Sequence, residues 1–161
     1  MNTENSITVL NKFLSFQNER FENYDSSILE TYEKDLKDLL FKYKEECLYC
    51  KSTLIDEIKK LGGFPIEDTV TSKKFIHFWI DFKHVFVQTK REDLLAVFEY
   101  NEFLNIKKFN KLLQNNMQHL NFTQLQMLKK QLVSLEENHD YLKSLGEAYL
   151  KNSNIEEIAN Y

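Results

Sequence analysis

The sequence predicts an all-α protein: an antiparallel four-helix bundle with a helical crossover between the second and third helices. Three observations predict it. Only three glycines and one proline interrupt 161 residues rich in Leu, Lys, Glu and Asn, so the backbone has few places to turn and good helix formers between them. Four long segments carry apolar residues at steps of three and four, the pattern of a helix with one buried face. A shorter stretch with the same spacing lies between the second and third of these segments, long enough to carry the chain back along the others.

The first helix is expected over about residues 4–31, where Ile7, Leu10, Leu14, Phe21, Tyr24 and Ile28 form one stripe and Gln17 fills the missing step. The second runs from near Asp35 to the Gly62-Gly63 stop, with Leu36, Leu39, Leu40, Tyr43, Cys47, Cys50, Leu54, Ile58 and Leu61 on one face. Residues 62–72 contain the only proline and most of the glycine, and read as a loop. Residues 73–87 return to helical spacing with Phe75, Phe78, Trp79, Phe82 and Phe86, and Thr89-x-x-Glu92 reads as a capping box that opens the third helix. That helix turns Leu94, Leu95, Phe98, Glu102, Asn105, Phe109, Leu112 and Leu113 inward. The last helix begins near Asn121 and places Leu125, Leu128, Leu132, Leu135, His139, Leu142, Gly146 and Tyr149 on its stripe. Residues 1–150 thus form a single bundle, and 151–161 a short polar tail.

Fifteen helical residues span roughly 22 Å, so residues 73–87 can bring the chain back along the bundle. A long connection between helices two and three is the arrangement of ferritin-like bundles, whereas a plain up-down bundle needs only short loops.

Composition narrows the function classes. With 42% hydrophobic side chains the chain can bury one substantial core. A net charge of -4, with Lys and Glu interspersed, offers no footprint for nucleic acid. The N-terminus lacks the basic start and apolar run of a signal peptide, and no stretch of 18 apolar residues occurs, so a membrane is not expected as a partner and the cytoplasm is the expected location. Two cysteines in that compartment are expected as thiols. No phosphate-cradling glycine loop or Ser-His-Asp arrangement occurs.

The chemistry-bearing residues sit at mid-length on the apolar stripes: Gln17 on the first helix, Cys47 and Cys50 on the second, Glu102 with Asn105 on the third, and His139 on the fourth. In a bundle these fall at similar heights and converge on one polar layer, where bundle proteins hold metals and cofactors. A di-iron centre needs a Glu from each of two helices and Glu-x-x-His from each of the other two. Glu136-x-x-His139 and Glu102 match that pattern, but Gln17 and the cysteines do not, and Glu22 and Glu46 lie beside the stripe. A reduced site remains, in which Glu102, His139 and one or both of Cys47 and Cys50 hold one zinc or iron ion with Glu136 or Glu46 reaching in from the rim. The alternative is that Glu102 and His139 satisfy one another by a charge-assisted hydrogen bond, joined by Gln17 and Asn105. Mid-helix cysteines are expected to pack as small hydrophobes, because a redox dithiol works at a helix N-terminus. His77, His84 and His119 show no ligand spacing and read as surface or interface residues. Five large aromatics within residues 75–86 exceed one helix face, which suits a core cover that also makes a homo-oligomer contact.

The run Leu61-Gly62-Gly63-x-Pro65 with Ser72, then His77-x-Trp79-x-Asp81-x-Lys83, Glu99-x-x-Glu102 and His139-Asp140, resembles a family of bacterial ferritin-like four-helix-bundle proteins known only as a domain of unknown function. The resemblance covers about residues 5–150; the chain departs from the family pattern at Phe78, where an Arg is usual, and at Asn101, where a Gly is usual. It implies the bundle and the crossover and carries no activity. The expected function is therefore a non-enzymatic, stress-associated or structural/interaction protein with a polar core able to hold one metal ion. The rival is a di-iron carboxylate oxidoreductase or iron-handling protein.

Overall fold

The structure, a computed structural model, describes the backbone of residues 2–66 and 91–159, with side chains as far as residue 152, Glu30 apart. The crossover helix expected at 73–87, its aromatic stripe, His77, His84 and the Thr89 half of the capping box lie outside the described residues. Those described are all-α: α1 (Thr3–Glu30), α2 (Lys34–Lys60), α3 (Arg91–Asn116), a single 3-10 turn (Met117–His119) and α4 (Phe122–Ala159). None of these helices is long and apolar enough to cross a membrane.

Local sequence sets the ends. Asn2 caps α1, its Oδ1 accepting from the backbone N–H of Glu4 at 2.9 Å. The glycine pair ends α2 because Gly62 takes φ +77°, which lets its N–H reach Lys59 O and the Gly63 N–H reach Ile58 O, the two bonds of a Schellman turn. At α4, Asn121 Oδ1 accepts from Gln124 N while Gln124 Oε1 accepts from Asn121 N, a reciprocal cap. The stretch read as a polar tail continues α4 as far as Ala159; residues 147–159 contain neither Gly nor Pro, so nothing in the sequence stops the helix there.

Side-chain contacts give the directions. Lys44 meets Asp25, and Gly63 packs against Ile7, so α2 runs against α1. Ser6 donates to His119 O, Lys12 to Asn116 and Tyr24 to Glu102, so α3 also runs against α1. Gln124 reaches Glu57 and Asn138 reaches Glu46, so α4 runs against α2. Helix α1 therefore has α2 and α3 as neighbours and lies diagonally opposite α4. Helices α2 and α3 point the same way.

The core falls into two apolar clusters. One, nearer the start of α1, is built on Leu10, Phe13, Leu14, Leu54, Ile58 and Phe109; the other, nearer its end, on Tyr24, Leu36, Leu40, Tyr43, Leu95 and Leu142. Between them lie Gln17, Arg20, Glu102 and Gln131, all buried. The stripe of α4 differs from the expected one. The buried positions are Gln124, Leu128, Gln131, Leu135, Asn138 and Leu142, while Leu125, Leu132 and His139 are only half-buried. The sequence reading followed the leucines, but the face that fits the seam alternates leucine with an amide at steps of four and three, and α4 is rotated by about half of the ~100° step between residues to present it.

Candidate functional site: a buried polar layer

Glu102 is fully buried at mid-height of α3. The reason it can be there is Arg20, 3% exposed, whose Nη2 lies 3.6 Å from Glu102 Oε2. Burying either charge alone would be strongly unfavourable; burying the pair is tolerable when their remaining atoms are hydrogen-bonded. Tyr24 Oη donates to Glu102 Oε1 and accepts from Arg20 Nη2 at 3.2 Å, and Asn105 Nδ2 donates to Glu102 Oε1 at 3.2 Å. Arg20 Nη1 donates to Gln17 Oε1 at 2.9 Å, and Gln17 Nε2 donates across the bundle to Gln131 Oε1 at 3.0 Å. Gln131 Nε2 then donates to the carbonyl of Cys50 and to Thr53 Oγ1. One chain of hydrogen bonds thus crosses the core and touches all four helices.

The electrostatics follow from burial. Desolvation opposes the charge on Arg20, but Tyr24, Cys47 and Glu102 around it hold its pKa above the ordinary arginine value. Desolvation pushes the Tyr24 hydroxyl well above the usual phenol range despite the pull of Arg20. Cys47, buried near Arg20 and Glu102, has its thiol pushed up to about 12 by desolvation, and Cys50 is pushed to about 11 for the same reason. Both are free thiols on the core face of α2, as the stripe predicted. A thiol held protonated is a poor nucleophile.

The layer gathers some of the predicted site residues and leaves out others. Gln17, Cys47, Glu102 and Asn105 belong to it. The expected meeting of Glu102 with His139 does not occur: His139 lies one step off the core face of α4, its Nε2 3.6 Å from Glu99 Oε1 and its Nδ1 3.0 Å from Asp140 Oδ1, with its ring near Phe103. Asn138 holds the buried position that His139 was expected to hold. Glu136 is exposed, and Glu46 lies on the rim, where it accepts from Ser134 and Asn138. His119 is half-buried in the turn before α4, where its carbonyl accepts from Ser6 and its ring meets Gln118. Among the described residues, no three His, Cys, Asp or Glu side chains converge as a metal ion would need.

Arg20 is the residue that sequence reasoning missed. A signal was present: it lies three residues after Gln17 and four before Tyr24, both of which were placed on the stripe, so it shares their face. On the other side of the bundle, α2 and α4 are joined by Gln124 to Glu57, Gln131 to Thr53 and Asn138 to Glu46, and a groove of about 660 Å³ runs between them, lined by Lys42, Tyr49, Cys50, Met127, Lys130 and Gln131.

No protein-family model matches this chain, and no curated protein matches it.

Proposed function

We propose that the chain is a ferritin-like bundle that works as a structural or interaction protein in the cytoplasm, with a guanidinium standing where a ferritin-like enzyme keeps metal. The observation that carries this reading is the buried Arg20–Glu102 pair. The core carboxylate already has its positive partner, and Tyr24, Asn105 and Gln17 take up Glu102 Oε1 and both terminal nitrogens of Arg20, so the layer ties the helices to one another without an added ion. Support for the ferritin-like topology comes from the chain ends flanking residues 67–90. Ile66 is tied to Asn11 near the start of α1, whereas Arg91 is tied to Glu33 and Asp35 beyond its other end, and α2 and α3 run parallel. Joining the end of one helix to the start of another that runs parallel to it takes a connection as long as the bundle. The partner we favour is a second copy of the chain, through the aromatic stripe at residues 75–86.

Metal analysis of protein purified without chelator, paired with light scattering of the same sample, tests the proposal. No stoichiometric metal and a particle of at least two chains are the expected results. Two irons per chain would replace this reading with the di-iron rival, one zinc would restore the single-ion site, and a strict monomer would remove the second copy as partner.

A further inference from the structure

Beside the ion pair the bundle leaves a cavity of about 10 Å³, with Tyr24, Ser27, Tyr43, Asn101 and Glu102 among its walls. That volume holds one water-sized particle. The hydroxyl protons along the wall are already committed: Tyr24 donates to Glu102 Oε1, Tyr43 to Asn138 O at 3.2 Å, and Ser27 to Asn23 O at 2.7 Å. Each hydroxyl keeps a lone pair. Glu102 Oε2 is buried and has no hydrogen-bond partner among the described residues, its cation Arg20 lying 3.6 Å off. A carboxylate oxygen left in that condition is unfavourable by an amount comparable to a lost hydrogen bond, and more for a charged group. The polar part of the wall, set among Leu40, Val97, Phe98 and Leu142, offers lone pairs and calls for a donor of protons.

We propose that this cavity is a binding site for a single water molecule, which donates to Glu102 Oε2 and to the hydroxyl oxygen of Tyr43 or Ser27, with the Asn101 amide, half-buried at the wall, available to donate back. A small monovalent cation would also suit lone pairs, but Arg20 already balances Glu102, and a second positive charge would leave the buried layer with a net charge. Water brings protons without charge. This site goes beyond the interaction role proposed above and does not depend on it.

Two measurements on the full chain test it. A crystal structure fine enough to resolve ordered solvent is expected to show one peak about 2.6–3.2 Å from Glu102 Oε2. An unfilled cavity, or a peak that rubidium replaces with an anomalous signal, would overturn the proposal. In solution, oxygen-17 relaxation dispersion counts long-lived internal waters. Ser27→Thr, whose added methyl group takes up the room, is expected to count one fewer than the native protein, and equal counts in two folded proteins would overturn the proposal as well. Should that variant fail to fold, the native crystal structure decides alone.

Discussion

The seam between α1 and α3 and the seam between α2 and α4 lie on opposite sides of the bundle and are made of different chemistry. The first is aromatic and sealed: Phe13 and Phe16 meet Phe109 at centroid distances of 4.9 and 5.4 Å, and the Arg20–Glu102 pair is closed in behind Tyr24. The second is a ladder of three amides reaching side chains at its edge, where Glu57 and Glu46 keep 17% and 27% of their side-chain surface exposed. A broken polar contact at the edge of the second seam can be remade with bulk water, whereas the buried ion pair of the first seam is cut off from bulk solvent. The same element, a polar side chain on a core stripe, is therefore worth very different amounts on the two sides.

The largest expected effect is on the sealed side. Arg20→Leu leaves Glu102 buried without its cation and is expected to destabilise the protein by about 3–5 kcal/mol in urea unfolding. Arg20→Leu with Glu102→Leu should lose far less than the sum of the two single changes, since the pair is coupled. Additive losses would show that the seam is not sealed.

On the ladder side, Gln131→Leu removes the bond from Gln17 and those to Thr53 and Cys50 O. A loss of about 1–3 kcal/mol is expected, and Gln124→Leu, which loses its cap and Glu57, should fall near the low end of that range. A ladder variant that costs as much as Arg20→Leu would erase the contrast between the seams.

Raising the pH reads the thiols that lie between them. Their ordinary pKa is 9.0, and burial holds Cys47 at about 12 and Cys50 at about 11, so the native state keeps protons that the unfolded chain releases. Stability that is fully present below about pH 9 is then lost as pH rises toward those folded values. Between pH 8 and 10 the loss should be about 1 kcal/mol per thiol, and Cys47→Ala should flatten the profile measured by urea midpoints. The same burial predicts that a bulky thiol reagent labels neither cysteine until the protein unfolds; rapid native labelling of Cys50 would mean that the groove it lines admits the reagent.

The smallest effect is expected at His139. Among the described residues it is paired only with the partly exposed Glu99 and the exposed Asp140, so His139→Ala should change stability by no more than about 0.5 kcal/mol. Its effect should add to that of Glu102→Gln in a double-mutant cycle. Measurable coupling would bring the two residues closer than the structure places them.

What was legible in the sequence was whatever one helix decides by itself. The glycine pair ending α2, the thiols on its core face and the inward Glu102 each follow from local spacing and turn chemistry. What was not legible depended on a second helix. Arg20 reads as a solvated charge until Glu102 is known to face it, although its spacing from Gln17 and Tyr24 already placed it on the stripe. On α4, Leu125 and Leu132 draw the eye to a face that the structure leaves half-buried, because Gln131 and Asn138 become good core residues only when Gln17, Thr53 and Glu46 stand opposite them. Hydrophobicity alone cannot rank an amide above a leucine; a partner can.

The buried face of α4 also repeats itself. Gln124, Leu128, Gln131, Leu135, Asn138 and Leu142 make one amide and one leucine per seven residues, three times over. Sliding the helix by one repeat, roughly 10 Å at 1.5 Å per residue, would put an amide where an amide was and a leucine where a leucine was. The face fixes how α4 is rotated and says little about how high it stands. Its height is held by the tether at its start, the 3-10 turn at 117–119 whose His119 carbonyl is gripped by Ser6, and by the cap at Asn121. Loosening that tether, by added residues after Asn116, would free a translation that the core itself does little to oppose, and the protein would acquire a second register without exchanging a single core side chain.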